Sequence, residues 1–200
     1  MKTQFNYIGD TWLSVKNHCR TTVGKVFTEK EPTEIFKWRL LISEHTPIRL
    51  LEFDWSWRSI PYWVSTELSR HKFEKFITTQ RDDRTDSKIP RAELPQGALV
   101  NYDGFANMQN LIDAFRKRLC FQATHEAREL VEDFKETLHN NHPIEANILV
   151  SNCIYRGGCP EINHCGFWEA FIAKHKDDNL LDLDTRYKLY NEDFYKGGKI

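Results

Sequence analysis

The sequence predicts an α+β fold: a single domain in which helices flank a small mixed or antiparallel sheet. Its 200 residues suffice for one hydrophobic core and are few for two. Residues 51–58 alternate apolar and polar side chains, as a strand with one buried face does. Other stretches place apolar residues at helical spacing, and no linker separates the two kinds of segment. One domain is therefore expected to span residues 1–200.

Two helices are predicted before the first strand. Residues 11–20 have the composition of a short helix. Residues 33–43 are a stronger candidate, because their apolar side chains recur at helical spacing and Thr33 is placed to cap the first turn. A break follows at Thr46, since the residue before a proline avoids helical angles.

A helix and a second strand are predicted after residues 51–58. Pro61 suits the first turn of a helix that runs to about His71. Residues 73–80 have the character of a strand, and residues 82–97 form a polar connection.

The rest of the chain is predicted to contain two helices and a less regular end. Residues 105–120 and 124–139 have helical spacing. The region after Asn140 reads as irregular, residues 145–200 as a cysteine-containing C-terminal extension, and residues 191–200 as a frayed end.

The overall composition excludes some classes of function. Hydrophobic residues make up 40% and charged residues 28%, as in ordinary globular proteins. A net charge of -1 and a pI near 6.7 argue against a general nucleic-acid binder, which must neutralise many phosphates. No apolar run approaches membrane-spanning length, and the first residues lack the apolar core of a signal peptide. We expect neither a membrane nor a nucleic acid as partner.

The five cysteines, an odd number without an export signal, indicate reduced thiols in a cytoplasm. Two interpretations of the C-terminal cysteines remain open: a tetrahedral zinc site or reduced structural thiols. The wide spacing, and the adjacency of His164 and Cys165, favour thiols, so no metal site is predicted. The candidate ligands are Cys120, Cys153, Cys159, His164 and Cys165.

The helix predicted over 105–120 carries an arginine beside its apolar stripe. With 100° per residue, Arg118 lies next to the stripe, together with Asn107 and Gln122. A buried guanidinium needs partners. The arginine can form a structural ion pair or extend its head to solvent, or the three polar residues can line a slot for a planar ligand. The stripe consists of Leu111, Ile112, Phe115 and Leu119.

The stretch ELSRHKFEKFITTQRDDR (67–84) is dense in charges. It can be a solvated helix end, a patch for nucleic acid, or the wall of a site for a phosphorylated ligand. Glu67 precedes Arg70 by three residues and His71 by four, so on one helix these groups meet on adjacent turns. A bare surface ion pair of this kind contributes little.

In order and spacing, these segments resemble the flavin-dependent thymidylate synthases. The family signature is Arg-His-Arg, seven residues, then Ser, preceded by a threonine-proline turn, a strand and a helix. Arg70-His71-Lys72 resembles the start of the signature, Gln80 falls on its serine, and Thr46-Pro47 on the turn. A one-residue deletion would instead align Thr79 with the serine and Arg81 with the next family arginine.

The second half of the chain strengthens the resemblance, which covers about residues 12–135. PRAELP (90–95) resembles the family's Ala-Arg-x-x-Leu-Pro, and NMQNLIDAFRKRLCFQATHEAR resembles its Asn-x-x-Ser-Leu-x-x-Phe-x-x-x-Arg segment. CRTTV (19–23) resembles the family's Ala-Arg-Val-Ser. By this resemblance the nucleotide-binding arginine is Arg91, the flavin-contacting positions are Thr22, Thr46 and Asn107, a second family asparagine falls on Asp113, and the arginine that grips the pyrimidine base is Arg118.

The resemblance implies an enzyme that transfers a one-carbon unit from methylenetetrahydrofolate to C5 of dUMP, giving dTMP. FAD supplies the hydride and NADPH recharges the flavin. The implied FAD-binding cations are Arg70, His71, Lys72 and Arg81. Arg118 is the implied catalytic residue, which stabilises negative charge on the ring. Family sites are shared between subunits, so a homotetramer is implied.

Two departures from the family pattern keep alternatives open. The third signature residue is Lys72, and Glu67 stands where the family has a glutamine beside the nucleotide. An alternative function is therefore a related flavin enzyme that acts on another pyrimidine nucleotide, such as dCMP, or that hydroxymethylates its substrate. A different class is a non-catalytic module that binds nucleic acid or protein through its basic clusters.

Overall fold

A four-stranded antiparallel sheet forms the centre of the fold. The computed structural model describes residues 2–9, 11–86 and 88–197. Along the sheet the strand order is β1-β2-β4-β3, and every neighbouring pair is antiparallel. The strands are β1 (Thr3–Ile8), β2 (Glu52–Pro61), β3 (Glu74–Ile77) and β4 (Leu99–Asn107).

Helices pack around this sheet, nine of them within the described residues. They are α1 (Trp12–Thr22), α2 (Glu34–Ile42), α3 (Tyr62–Leu68), α4 (Met108–Arg118), α5 (His125–His139), α6 (Pro143–Asn147), α7 (Asn152–Arg156), α8 (Phe167–Lys174) and α9 (Leu183–Tyr195). Two short 3-10 helices cover Thr46–Leu50 and Arg91–Glu93. The predicted α+β class is confirmed, with the antiparallel form of the sheet.

The core forms where the inner face of β2 meets α5. Trp55 and Phe134 are both fully buried, with ring centroids 5.3 Å apart. Phe115 brings α4 into the same cluster, 4.9 Å from Phe134. The predicted alternation of apolar and polar residues persists over most of β2, because successive side chains point to opposite faces of the sheet and one face packs on the core.

Four predicted segments match the structure closely. The stretches 11–20, 33–43, 51–58 and 124–139 correspond to α1, α2, β2 and α5. The predicted cap is confirmed, because Thr33 Oγ1 accepts a hydrogen bond of 3.2 Å from the backbone N–H of Phe36.

The helix predicted over 105–120 begins too early, because residues 105–107 belong to β4. The apolar alternation of β4 is hard to see, since its inner face carries small residues at Gly104 and Ala106. Trp55 explains the glycine: a Cβ atom at position 104 would lie 2.3 Å from its ring. Gly104 is therefore a packing glycine inside a strand.

The helix predicted from Pro61 to His71 ends at Leu68, and the following strand covers only Glu74–Ile77. Arg70, His71 and Lys72 therefore lie in the turn between α3 and β3. The side chain of Asn110 on α4 holds this turn, because its Nδ2 donates a hydrogen bond of 2.8 Å to the Lys72 carbonyl. Burial of Phe73 edge-on to Trp55 fixes its far end.

The region after Asn140 is not irregular, because α6 to α9 occupy much of it. Three of these helices have eight residues or fewer, too short for a clear periodic pattern. The predicted frayed end is also wrong up to Tyr195, where α9 ends with Asn191 and Asp193 buried. The last positions of that prediction, 198–200, lie outside the described residues.

Candidate functional site

Arg118 lies at the C-terminal end of α4 and bonds to two residues of the neighbouring α3–β3 segment. Its Nε donates a hydrogen bond of 2.7 Å to His71 Nε2, and its Nη1 bonds to Glu67 Oε1. Only 13% of the Arg118 side chain and 17% of the Glu67 side chain are exposed. Removal of one partner from such a desolvated pair costs more than removal of one partner from a surface pair.

Glu67 is bonded on both carboxylate oxygens. Its Oε2 accepts a hydrogen bond of 2.6 Å from Thr124 Oγ1, at the N-terminal end of α5. Glu67, His71, Arg118 and Thr124 are called the Arg118 cluster below. The structure therefore supports the ion-pair interpretation of Arg118. Glu67 pairs with Arg118 and not with Arg70 or His71, which lie in the turn after α3.

His71 is neutral in this arrangement. Its pKa falls to about 4, first because burial disfavours the charged ring and then because the Arg118 guanidinium repels a second positive charge. Since Nε2 accepts from Arg118, the ring proton is assigned to Nδ1. His71 thus offers one N–H donor and no charge, whereas the resemblance counted it among the FAD-binding cations.

A basic groove of about 390 Å³ adjoins the Arg118 cluster. Three elements form it: the α3–β3 turn, α4 and α7. Its charged lining consists of five lysine or arginine side chains and one carboxylate, so it suits an anionic ligand. These residues are Arg70, Lys72, Arg116, Lys117, Arg156 and Asp113.

Arg116 closes one side of the basic groove and is not among the site residues that the resemblance implies. It pairs with Glu44, and its guanidinium lies 3.4 Å from the centre of the Tyr155 ring. Gln109 Nε2 also donates to Glu44, at 2.8 Å. The contribution of α7 was missed as well, because that segment was read as irregular.

The predicted residues of α4 occupy different places along the helix. Asn107 caps its N-terminal end, with Oδ1 accepting a hydrogen bond of 3.0 Å from Asn110 N, and Asp113 lines the basic groove. Gln122 lies beyond the helix and donates to the Asn163 carbonyl. Eleven residues separate Asn107 from Arg118, a rise of about 16 Å. The shared slot proposed for Asn107, Arg118 and Gln122 does not form.

Thr22 and Thr46 lie on other elements. Thr22 ends α1 and donates a hydrogen bond of 2.7 Å to the Cys19 carbonyl. Thr46 is exposed at the start of the first 3-10 helix, two residues after Glu44.

Three predicted ligand contacts, Gln80 and Arg91 for the substrate and Arg81 for FAD, lie in the connection between β3 and β4. Gln80 and Arg81 follow β3, and Arg81 pairs with Asp83 at 2.6 Å; both partners are more than half exposed. Arg91 is exposed at the start of the second 3-10 helix. Because β3 and β4 are antiparallel, this connection leaves the sheet at the end opposite to Arg70 and the start of α4. Within a single chain, therefore, Gln80, Arg81 and Arg91 do not lie at the Arg118 cluster.

The C-terminal cysteines come together around a small cavity. Cys120, Cys153, Cys159 and Cys165 line it with aromatic neighbours, and all are free thiols. Burial raises the pKa of Cys153 to about 11. His164 pairs with Glu169, and within the described part of the chain no group of three potential ligands has the arrangement of a metal site.

Among the described residues, no helix has both the length and the apolarity needed to cross a membrane.

The fold is shared with solved structures of flavin-dependent thymidylate synthases. No family sequence profile matches the chain, and no curated protein matches it in sequence. Solved structures do match. ThyX from Helicobacter pylori, complexed with FAD and dUMP, superposes with a TM-score of 0.61 at 12% identity, over 76% of this chain and 100% of that chain.

A second solved structure shares the fold. PolB from Streptomyces cacaoi, a UMP/dUMP methylase bound with 5-Br dUMP, superposes with a TM-score of 0.60 at 12% identity, over 74% of this chain and 93% of that chain. The fold predicted from the sequence resemblance is thus confirmed. About a quarter of this chain extends beyond what either structure matches.

Proposed function

We propose that this protein is an FAD-dependent enzyme that transfers a one-carbon unit from methylenetetrahydrofolate to C5 of dUMP, giving dTMP, with NADPH as reductant. One observation carries the proposal: Arg118, Glu67 and His71 meet beside a basic groove, on a fold shared with structures that hold FAD and dUMP. When bound, the flavin supplies the hydride chemistry that side chains lack.

The basic groove fits the phosphates of such a cofactor. Arg70, Lys72 and Lys117 make no ion pair to a carboxylate within the described residues, so their charge is available to an external anion. Charge-assisted hydrogen bonds to phosphate are about twice as strong as neutral ones. The Nδ1–H of His71 adds a neutral donor beside them. Asn107 and Asp113 are proposed to contact the flavin.

Arg118 is proposed to hold the pyrimidine. Its three bonds to His71 and Glu67 use three of the five N–H donors of the guanidinium, and one of these bonds is long, at 3.4 Å. The remaining donors can bind a ring carbonyl and stabilise negative charge as it develops on the ring. Glu67 fixes the guanidinium for this task, which makes Glu67 a positioning residue.

We propose that a second copy of the chain completes the site in a homotetramer. Gln80, Arg81 and Arg91 lie apart from the Arg118 cluster within one chain, as do Thr22 and Thr46. Arg91 of a neighbouring copy would supply the bidentate phosphate contact. Light scattering after size-exclusion chromatography tests the assembly; a monomer at micromolar concentration contradicts it.

The reduced thiols make the cytoplasm the proposed location.

The test of the function has two stages. A folded preparation should bind FAD with the absorbance of a flavoprotein, and should then release tritium from 5-³H-dUMP in the presence of methylenetetrahydrofolate and NADPH. A colourless protein that gains no flavin absorbance contradicts the proposal and favours a non-catalytic binding module.

A second candidate keeps the flavin but changes the nucleotide. Glu67 favours it, because a carboxylate stands where the family has an amide, and the PolB structure is that of a UMP/dUMP methylase. Parallel assays with dUMP, UMP and dCMP, read by product mass, separate the candidates and detect hydroxymethylation. Inactivity on all three with flavin bound contradicts both.

A further inference from the structure

The basic groove has a wall that the sequence resemblance does not cover. The resemblance ends at about residue 135, whereas α7 supplies Asn152, Tyr155 and Arg156 to the lining. Arg156 is exposed, and its Nε donates a hydrogen bond of 3.1 Å to Asn152 Oδ1. An amide oxygen fixes the guanidinium without neutralising it.

Buried contacts hold α7 in position. Arg186 on α9 is 8% exposed and donates hydrogen bonds to the carbonyls of Ile154, at 2.8 Å, and Tyr155, at 3.2 Å. Gly157 ends the helix with a φ of +69°, in the left-handed region. The wall is thus fixed before a ligand arrives, which lowers the entropic cost of binding.

The Tyr155 ring joins α7 to α4. The ring covers the Arg116 guanidinium, whose charge Glu44 already balances. The cations left for a ligand come from three separate elements: Arg70 and Lys72 from the α3–β3 turn, Lys117 from α4, and Arg156 from α7.

We propose that α7, through Arg156, completes a binding site for the diphosphate group of a nucleotide ligand. A diphosphate presents non-bridging oxygens in several directions, which suits cations placed on three elements around one groove better than a single phosphate does. The inference rests on the proposed function only for the identity of the ligand as FAD. Diphosphate binding itself follows from the groove.

Calorimetric titration with inorganic pyrophosphate tests the site directly. Arg156→Gln should weaken binding about tenfold, because a charged donor is lost from the groove. Arg49→Gln is the matched control, since Arg49 is exposed and lies outside the groove lining. Equal affinity of the two variants overturns the proposal, as does monophosphate binding as tight as pyrophosphate binding.

Tyr155 provides a second test that does not alter charge. Tyr155→Ala uncovers Arg116 and loosens the wall, so pyrophosphate should bind about threefold to tenfold more weakly, whereas Tyr155→Phe keeps the ring and should bind as the wild type does. Equal binding by Tyr155→Ala and Tyr155→Phe contradicts the role of the wall.

Titrations with FAD and dUMP identify the source of the diphosphate and separate this proposal from the function. Arg156→Gln should weaken FAD and leave dUMP unchanged in the flavin-loaded protein. Pyrophosphate binding that depends on Arg156 in a protein that takes up no flavin refutes the function and supports the site. If the Arg156→Gln variant has full turnover and binds both pyrophosphate and FAD as tightly as Arg49→Gln does, the site is refuted and the proposed function stands.

Discussion

Lys135 and Arg118 are both buried cations, and they differ in whether their surroundings are closed. Lys135 is fully buried, and its Nζ donates to the carbonyls of Ala146 and Leu149 and to Asn191 Oδ1 at 2.6–2.9 Å. Three acceptors match the three N–H bonds of an ammonium group. Arg118 instead uses only three of its five N–H donors within the protein, and it lies beside the basic groove.

We propose that Lys135 is a structural cation and that Arg118 is the one available for chemistry. Lys135 connects α5 with the segment around α6 and with α9, so its hydrogen bonds join the C-terminal helices to the core. Burial lowers the pKa of Lys135, so the site holds a charge only at a cost. Changes at Lys135 should therefore affect stability, and changes at Arg118 should affect activity.

The largest expected effect is that of Arg118→Ala on catalysis. Loss of a charge-stabilising donor should lower kcat about 1000-fold, while flavin absorbance is retained. Arg118→Lys should recover little activity, because lysine lacks the planar fork of donors. Tritium release gives kcat, with Arg49→Ala as the control. Turnover of Arg118→Ala at the wild-type rate contradicts the assigned role.

Lys135→Met should lower the free energy of unfolding by about 3 kcal/mol, since three buried acceptors lose their donor. The kcat of the folded fraction should stay within about twofold of the wild type. Urea denaturation measures the change, against Lys176→Met, an exposed lysine, as control. An unchanged urea midpoint would show that the three buried hydrogen bonds of Lys135 do not contribute to stability.

Glu67→Gln should sharpen the comparison, because it keeps the shape of the Arg118 cluster and removes its negative charge. A hydrogen bond to a charged group contributes about 1.5–3 kcal/mol, so kcat should fall about tenfold or more. The measurement is kcat with dUMP and with dCMP. A rise in activity on dUMP alone would instead show that Glu67 contacts the base.

The smallest expected effect concerns His71 and pH. Between pH 6.5 and about pH 4 the unfolded chain binds a proton at His71 that the folded chain does not bind, so stability falls as the pH is lowered through this window. Because the ring is partly exposed, we expect a loss of about 1–2 kcal/mol. Unfolding of the wild type and of His71→Gln across this range measures it. Parallel curves would contradict the neutral state of His71.

Much of the fold could be predicted from the sequence wherever an element depends only on residues that are neighbours along the chain. The alternation in β2 and the cap at Thr33 are such cases, because each depends on neighbouring residues alone. β1 was missed, since its side chains are mostly half-buried or exposed and show no clean alternation. The strand β4 was hidden by Gly104, whose place depends on Trp55, far away in sequence.

The same distinction applies to the site. Glu67, His71 and Arg118 were selected from the sequence, and they meet in the structure. Their pairing was not predictable, because it depends on where α3 ends and on the crossing of α4. The contacts of Arg116 and the place of α7 were not predictable for a related reason: Glu44 and Tyr155 are 72 and 39 residues away from Arg116, and no local pattern relates them.

The contact between Trp55 and Gly104 limits how this sheet can diverge among related chains. A methyl group at 104 has no room while an indole occupies position 55. Substitutions at these two positions should therefore be inherited together, with a smaller ring or aliphatic group on β2 accompanying any side chain on β4.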